Sequence, residues 1–121
     1  MSAFGRIDGL APYALVEGLR ARAWRGERMT IAMVDIDPGA ELPEHRHENE
    51  QLGIVLKGIL RFTVDGETQD LGPGETWTIP SGVPHSAVAG PEGCTCIDVF
   101  APTRADWEDL PRLEPSPPAW P

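Results

Sequence analysis

The sequence predicts an all-β fold: a single-domain antiparallel β-barrel or sandwich, with one short helical turn near the C-terminus. Three observations carry this. Glycine and proline number 13 each among 121 residues, which fills the chain with turns and argues against a mostly helical fold. From about Leu15 to Phe100, short apolar and alternating runs are cut by turn residues at regular intervals. Between two such runs stands Asp65-Gly66, a strong hairpin signal. A chain of this length forms one packed core, so residues 1–110 read as the barrel domain and residues 111–121 as a Pro-rich tail.

In chain order, Arg20, Arg22 and Trp24 alternate on one early strand, as exposed polarity and packing, with anion contacts as the rarer alternative. Met29 to Ile36 is rich in β-branched and apolar residues and ends at Asp37-Pro-Gly39. Glu50 to Lys57 reads as a strand stopped by Gly58. Ile59 to Val64 places Leu60, Phe62 and Val64 on one face. After Gly72-Pro-Gly74 come a strand over Glu75–Ile79, a turn at Pro80-Ser-Gly82 and a strand over His85–Ala89. A turn over Gly90–Gly93 then leads to the last strand, Cys94–Ala101. Thr103 to Leu110 is the helical segment, with Thr103 as its cap, Asp106 three places on, and Trp107 and Leu110 on one face. The Pro111–Pro121 tail reads as disordered or extended.

Charge narrows the functions. Nineteen acidic residues against ten Lys and Arg give a net charge of -9, which repels nucleic-acid backbones and anionic lipid surfaces. No apolar run approaches the ~20 residues of a membrane span. The expected partner is therefore a small molecule, with no nucleic acid and no membrane. Cys94 and Cys96 sit two apart on one strand face, too parallel for an easy disulfide, and read as small buried hydrophobes. Two free thiols, with no basic-then-apolar leader at the start of the chain, lead us to expect a cytoplasmic protein.

The chemistry gathers around the only three histidines, His45, His47 and His85. In an extended segment His45 and His47 project to the same face. Imidazole suits a divalent transition metal such as zinc, nickel, manganese, iron or copper. The surrounding spacing strengthens this reading: Gly39-AELPE-His45-Arg-His47-ENE-Gln51-LGIVLK-Gly58, then Gly74-ETWTI-Pro80-Ser-Gly82-VP-His85.

These two stretches, in this order, resemble the paired motifs of the cupin superfamily, a jelly-roll β-barrel whose motif residues ligate one metal ion. The resemblance implies His45, His47, Gln51 and His85 as ligands. Gln51 replaces the more usual Glu, and Ala89 stands where the second motif carries a structural Asn. Three neutral imidazoles and a carboxamide leave the ion's charge uncancelled, which favours anionic ligands and stronger Lewis acidity. The competing reading leaves Gln51 as a solvated strand residue and gives its place to Glu48 or Glu50. Strand parity turns Glu50 away from Gln51 and weighs against that choice.

On the last strand Cys94, Cys96, Asp98 and Phe100 share one face, and alternation alone does not say which face is inward. The segment Asp98-Val-Phe100-Ala-Pro102-Thr-Arg104-Ala-Asp-Trp107 is similar to the ending of the pectin-degradation cupins. Those proteins convert 4,5-unsaturated monouronates to their linear keto form. That resemblance implies Asp98, Phe100 and Arg104 as active-site residues, a small anionic substrate, and a metal-dependent lyase or isomerase reaction. Arg104 would grip the substrate carboxylate, Asp98 would carry a proton and Phe100 would form an apolar wall. The competing classes are a non-haem iron dioxygenase and a non-catalytic small-ligand-binding module. The family resemblance also implies a homodimer, with Leu15 to Trp24 as a pairing segment.

Overall fold

The computed structural model describes residues 2–121. Eight strands build the fold: β1 (Tyr13–Ala14), β2 (Leu19–Arg25), β3 (Thr30–Ile36), β4 (Glu41–His45), β5 (Glu50–Val64), β6 (Glu67–Leu71), β7 (Thr76–Ile79) and β8 (His85–Ala101). All pairings are antiparallel, in the order β1-β2-β3-β8-β5-β6, with β4 also on β8 and β7 also on β5. There is no α-helix among the described residues.

Two long strands hold the barrel together, and here the structure departs from the sequence reading. Gly58 does not stop β5, and Gly90–Gly93 is not a turn; both stretches lie inside continuous strands of 15 and 17 residues. The physical reason is a shared crease. Pairing of β5 with β8 runs from Glu50 opposite Ala101 to Val64 opposite His85, with register shifts between Val55 and Lys57 and between Gly58 and Leu60. Gly58 and Gly93 take positive φ values of 80° and 79°. A Cβ on Gly58 would overlap the carbonyl oxygen of Gly93. The two glycines therefore let both strands bend together without ending either. Beyond the crease, the first half of β8 pairs with β4, and its second half pairs with β3.

The inward row of β8 is Cys94, Cys96, Asp98 and Phe100, all buried, which settles the direction that alternation left open. Cys94, Cys96 and Phe100 meet Val34 and Leu19 from β3 and β2, and Val55, Leu60 and Phe62 from β5, in one apolar cluster. Both cysteines are free and buried. Gln51 is buried while Glu48 and Glu50 are exposed, as parity requires.

At the C-terminal end the helical turn is a five-residue 3-10 turn, Ala105–Asp109, and Thr103 does not cap it. The Thr103 carbonyl instead accepts a hydrogen bond from the Asn49 side chain, which draws this residue toward the barrel. Trp107 is buried, as its place in the pattern anticipates. The tail lies extended against the outer face of β2 and β3. Arg22, buried and paired with Asp35 at 2.8 Å, donates to the Ser116 carbonyl, the Ser116 hydroxyl and the Pro117 carbonyl. Ala119 N–H points at the Asp35 carboxylate. Arg20 pairs with Asp37 and Trp24 is half exposed, so none of the three early-strand residues lines the central cavity. Within the chain β2 pairs along its whole length with β3 and, at Arg20 and Ala21 only, with β1.

Candidate metal centre

Each histidine is delivered by a different device. His45 is the last residue of β4 and sits opposite His85, the first residue of β8. His47 follows in the loop before β5. The bend at Pro80-Ser-Gly82 is closed by Val83 N–H to the Pro80 carbonyl at 3.2 Å. Gly82 N–H, at 2.8 Å from the His47 carbonyl, ties that bend to the first motif. The rings come together: centroids are 4.2 Å apart for His45 and His85, 4.9 Å for His47 and His85, and 5.6 Å for His45 and His47. One ligand nitrogen from each lies within 4.8 Å of the others.

The hydrogen bonds say which nitrogen that is. Nδ1 of His45, His47 and His85 lies 2.8, 2.9 and 2.9 Å from the carbonyls of Pro43, Asn49 and Val83. A carbonyl oxygen only accepts, so each Nδ1 carries the proton and each Nε2 presents a lone pair to the centre. Buried His85 Nε2 has no hydrogen-bond partner. His47 Nε2 faces Gln51 Oε1 at 3.1 Å. The Gln51 amide orientation is fixed by Nε2 donating to Asp98 Oδ1 at 2.8 Å, so two acceptors stand face to face. An orphaned imidazole nitrogen and an acceptor–acceptor contact at one point are both relieved by a cation. His45, His47, His85 and Gln51 thus fit a metal ion held through three Nε2 atoms and one Oε1.

Electrostatics agree. Burial, the largest cause, lowers the His85 pKa to about 4. Burial first and then the Arg104 charge lower that of His47. Both imidazoles are therefore neutral at pH 7, the form that ligates.

Beside the ligands, Asp98 is buried and its pKa is raised to about 6, chiefly by burial and against the hydrogen bonds from Gln51 and Trp77. Its Oδ1 accepts from both Gln51 and Trp77, the latter at 3.0 Å, while Oδ2 has only the Cys96 thiol at 3.9 Å. One oxygen is held and the other is left available. Phe100 packs edge-on between His47 and Trp107, at centroid distances of 5.8 and 5.2 Å. Arg104 stacks over Phe100 and Trp107 at 4.7 and 4.5 Å. Asp106 takes its Nε and Nη2 at 3.1 and 2.9 Å, leaving Nη1 free of any hydrogen bond among the described residues.

Three further residues matter that the sequence reading did not single out for the site. Trp77 braces Asp98, and it fits only because position 53, opposite it on β5, is glycine: a Cβ there would overlap the indole. A large aromatic at an inward strand position was the available signal. The Asn49 side chain donates to the Pro102 and Thr103 carbonyls at 2.6 and 3.2 Å, fastening the ligand loop to the segment that carries Arg104. Nothing in its sequence context announces that role. Asp106 is two residues from the arginine it orients.

The comparisons with known proteins agree with this geometry. A 29% identical relative over 105 residues is the pectin degradation protein KdgF of Dickeya dadantii, spanning 84% of this chain and 94% of that one. The solved structure of KdgF from Halomonas sp. superposes with a TM-score of 0.80 at 27% identity, over 88% of this chain and 98% of the other. The dimethylsulfoniopropionate lyase DddW of Ruegeria pomeroyi is 34% identical over 73 residues, 60% of this chain. That match covers 48% of the lyase, so the chain spans about half the length of this relative. The family model described as "Cupin domain" matches residues 32–100, which contain every proposed ligand together with Asp98 and Phe100. The chain belongs to the cupin domain family.

Proposed function

We propose that this cupin is a metal-dependent lyase or isomerase acting on a small unsaturated carboxylate, with ring opening or isomerisation of an unsaturated uronate as the reaction to test first. The observation that carries this reading is the link Gln51–Asp98: a ligand carboxamide hydrogen-bonded to a buried carboxylate whose second oxygen is available. The names of the KdgF relatives and of the lyase DddW support the same class of chemistry.

Bound by His45, His47, His85 and Gln51, a zinc, nickel, manganese, iron or copper ion would supply Lewis acidity toward an anionic substrate. Arg104, with Asp106 fixing one edge of its guanidinium, offers Nη1 to the substrate carboxylate. Asp98 holds or moves a proton at Oδ2, and its pKa near 6 suits both directions of transfer close to neutral pH. Phe100 and Trp107 keep the guanidinium in place and wall the site from water.

Loss of absorbance at the conjugated double bond of a 4,5-unsaturated uronate, followed with metal-loaded protein, tests the proposal. Turnover is expected, falling at least ~100-fold in Asp98→Asn. Oxygen consumption seen only with iron would replace this reading with a dioxygenase. Ligand binding without turnover, unchanged by Asp98→Ala, would replace it with a binding module.

A further inference from the structure

We infer that the cavity takes a carboxylate carried on an apolar body, such as an aryl or alkyl chain, in preference to a polyhydroxylated sugar acid. This keeps the small-carboxylate class proposed above, turns it away from the uronate named there, and rests on that reading for the position of the carboxylate. The cavity has a volume of about 410 Å³, within the range of small-molecule sites. Two of its polar groups, Gln51 and Asp98, sit close together in the strand register, with Gln51 opposite Phe100 and Gly53 opposite Asp98. One step along the strands the lining residues are Val34 and Cys96, and beyond them Ile36 and Leu19. Leu15, Val16, Leu42 and Leu110 line the cavity too, although each is half-buried or exposed.

The side chains absent from this wall decide the matter. Apart from His45, Gln51, His85, Asp98 and Arg104, the only side chains with charged or hydrogen-bonding groups among the described lining residues are Glu44, Asp106, Trp77, Trp107 and Cys96. The two carboxylates only accept, Asp106 is already taken by Arg104, and the Trp77 N–H is taken by Asp98, which leaves the Trp107 N–H as the one further indole donor. No Ser, Thr, Asn, Tyr or Lys lines the cavity among the described residues. Each hydroxyl of a sugar acid both donates and accepts, and a body carrying several of them would give up water along the apolar wall and find few partners there. An apolar body loses nothing polar and covers apolar surface, including Val16, which is 41% exposed in the free protein.

Isothermal titration of the metal-loaded full chain with 3-phenylpropionate and with glucuronate, at one pH and ionic strength, tests this. We expect 3-phenylpropionate to bind at least ~10-fold tighter, a preference narrowed by Val16→Ser, a change at an exposed position that leaves folding intact. Arg104→Ala is expected to weaken 3-phenylpropionate at least ~10-fold. Equal or tighter binding of glucuronate overturns the inference, as does the absence of binding for both ligands or binding of 3-phenylpropionate indifferent to Arg104→Ala. Turnover of an unsaturated uronate alongside a preference for glucuronate would sink this inference and leave the proposed reaction standing. A preference for 3-phenylpropionate without turnover of any unsaturated carboxylate would do the reverse.

Discussion

The Gln51 carboxamide donates to Asp98 Oδ1 at 2.8 Å, and both side chains are buried inside the barrel. With its Oε1 facing His47 Nε2 at 3.1 Å, Gln51 joins the histidine cluster to the carboxylate. A glutamate at this position could not serve both neighbours, because it would set a second carboxylate against Asp98. Gln51→Glu is therefore expected to destabilise the metal-free protein by about 1–3 kcal/mol, the cost of replacing a donor by a like charge in a buried pair. Urea denaturation in chelator measures this, and metal addition should restore much of the loss.

Trp77 and Gly53 supply the second prediction. Gly53→Ala drives a methyl group into a buried indole, so a loss of about 1–3 kcal/mol is expected from overpacking, and with it a displaced brace on Asp98. Trp77→Phe removes the indole N–H and part of a buried ring system, leaving a small cavity, at about 1–3 kcal/mol. Denaturation midpoints of both variants should fall below that of the wild type.

The pH dependence of the metal-free fold contains two opposed contributions. His85 falls from an ordinary 6.5 to about 4 on folding, so between those values the unfolded chain binds more protons and stability rises with pH. Asp98 rises from 3.8 to about 6, so in that window the folded state binds more protons and stability falls as pH rises. Asp98→Asn removes the second contribution alone. Relative to wild type, the variant should gain stability steadily from pH 4 to pH 6, by up to about 2–3 kcal/mol, in chelator-treated samples followed by urea unfolding.

Removal of the tail tests the outer face. Truncation after Leu113 strips Arg22 of its three acceptors from Ser116 and Pro117 and uncovers its pair with Asp35. A loss of about 2–4 kcal/mol is expected, with metal uptake unchanged because no tail residue lines the central cavity. Calorimetric unfolding and metal content, measured on the same preparation, separate the two effects.

Much of this was legible before any coordinates. Motif spacing located all three histidines and Gln51, and strand parity separated Gln51 from Glu50, because side-chain direction in a strand follows directly from position. Strand ends were less legible: Gly58 and Gly93 look like stops, yet each provides a crease that matters only because the other lies against it. That pairing is a contact between distant segments and leaves no local trace. The same holds for Asn49, whose partners are carbonyls 53 and 54 residues away, and for the tail, whose Pro-rich composition conceals a dock on a buried arginine.

The central claim is that three imidazoles and one carboxamide form a single metal site. Equilibrium titration of the full chain with zinc and with nickel, beside His85→Ala and Gln51→Ala, tests it most directly. One equivalent bound by wild type, weakened at least ~100-fold by His85→Ala and less by Gln51→Ala, is the predicted result. Wild-type binding that His85→Ala leaves unchanged, or no binding at all, would contradict it.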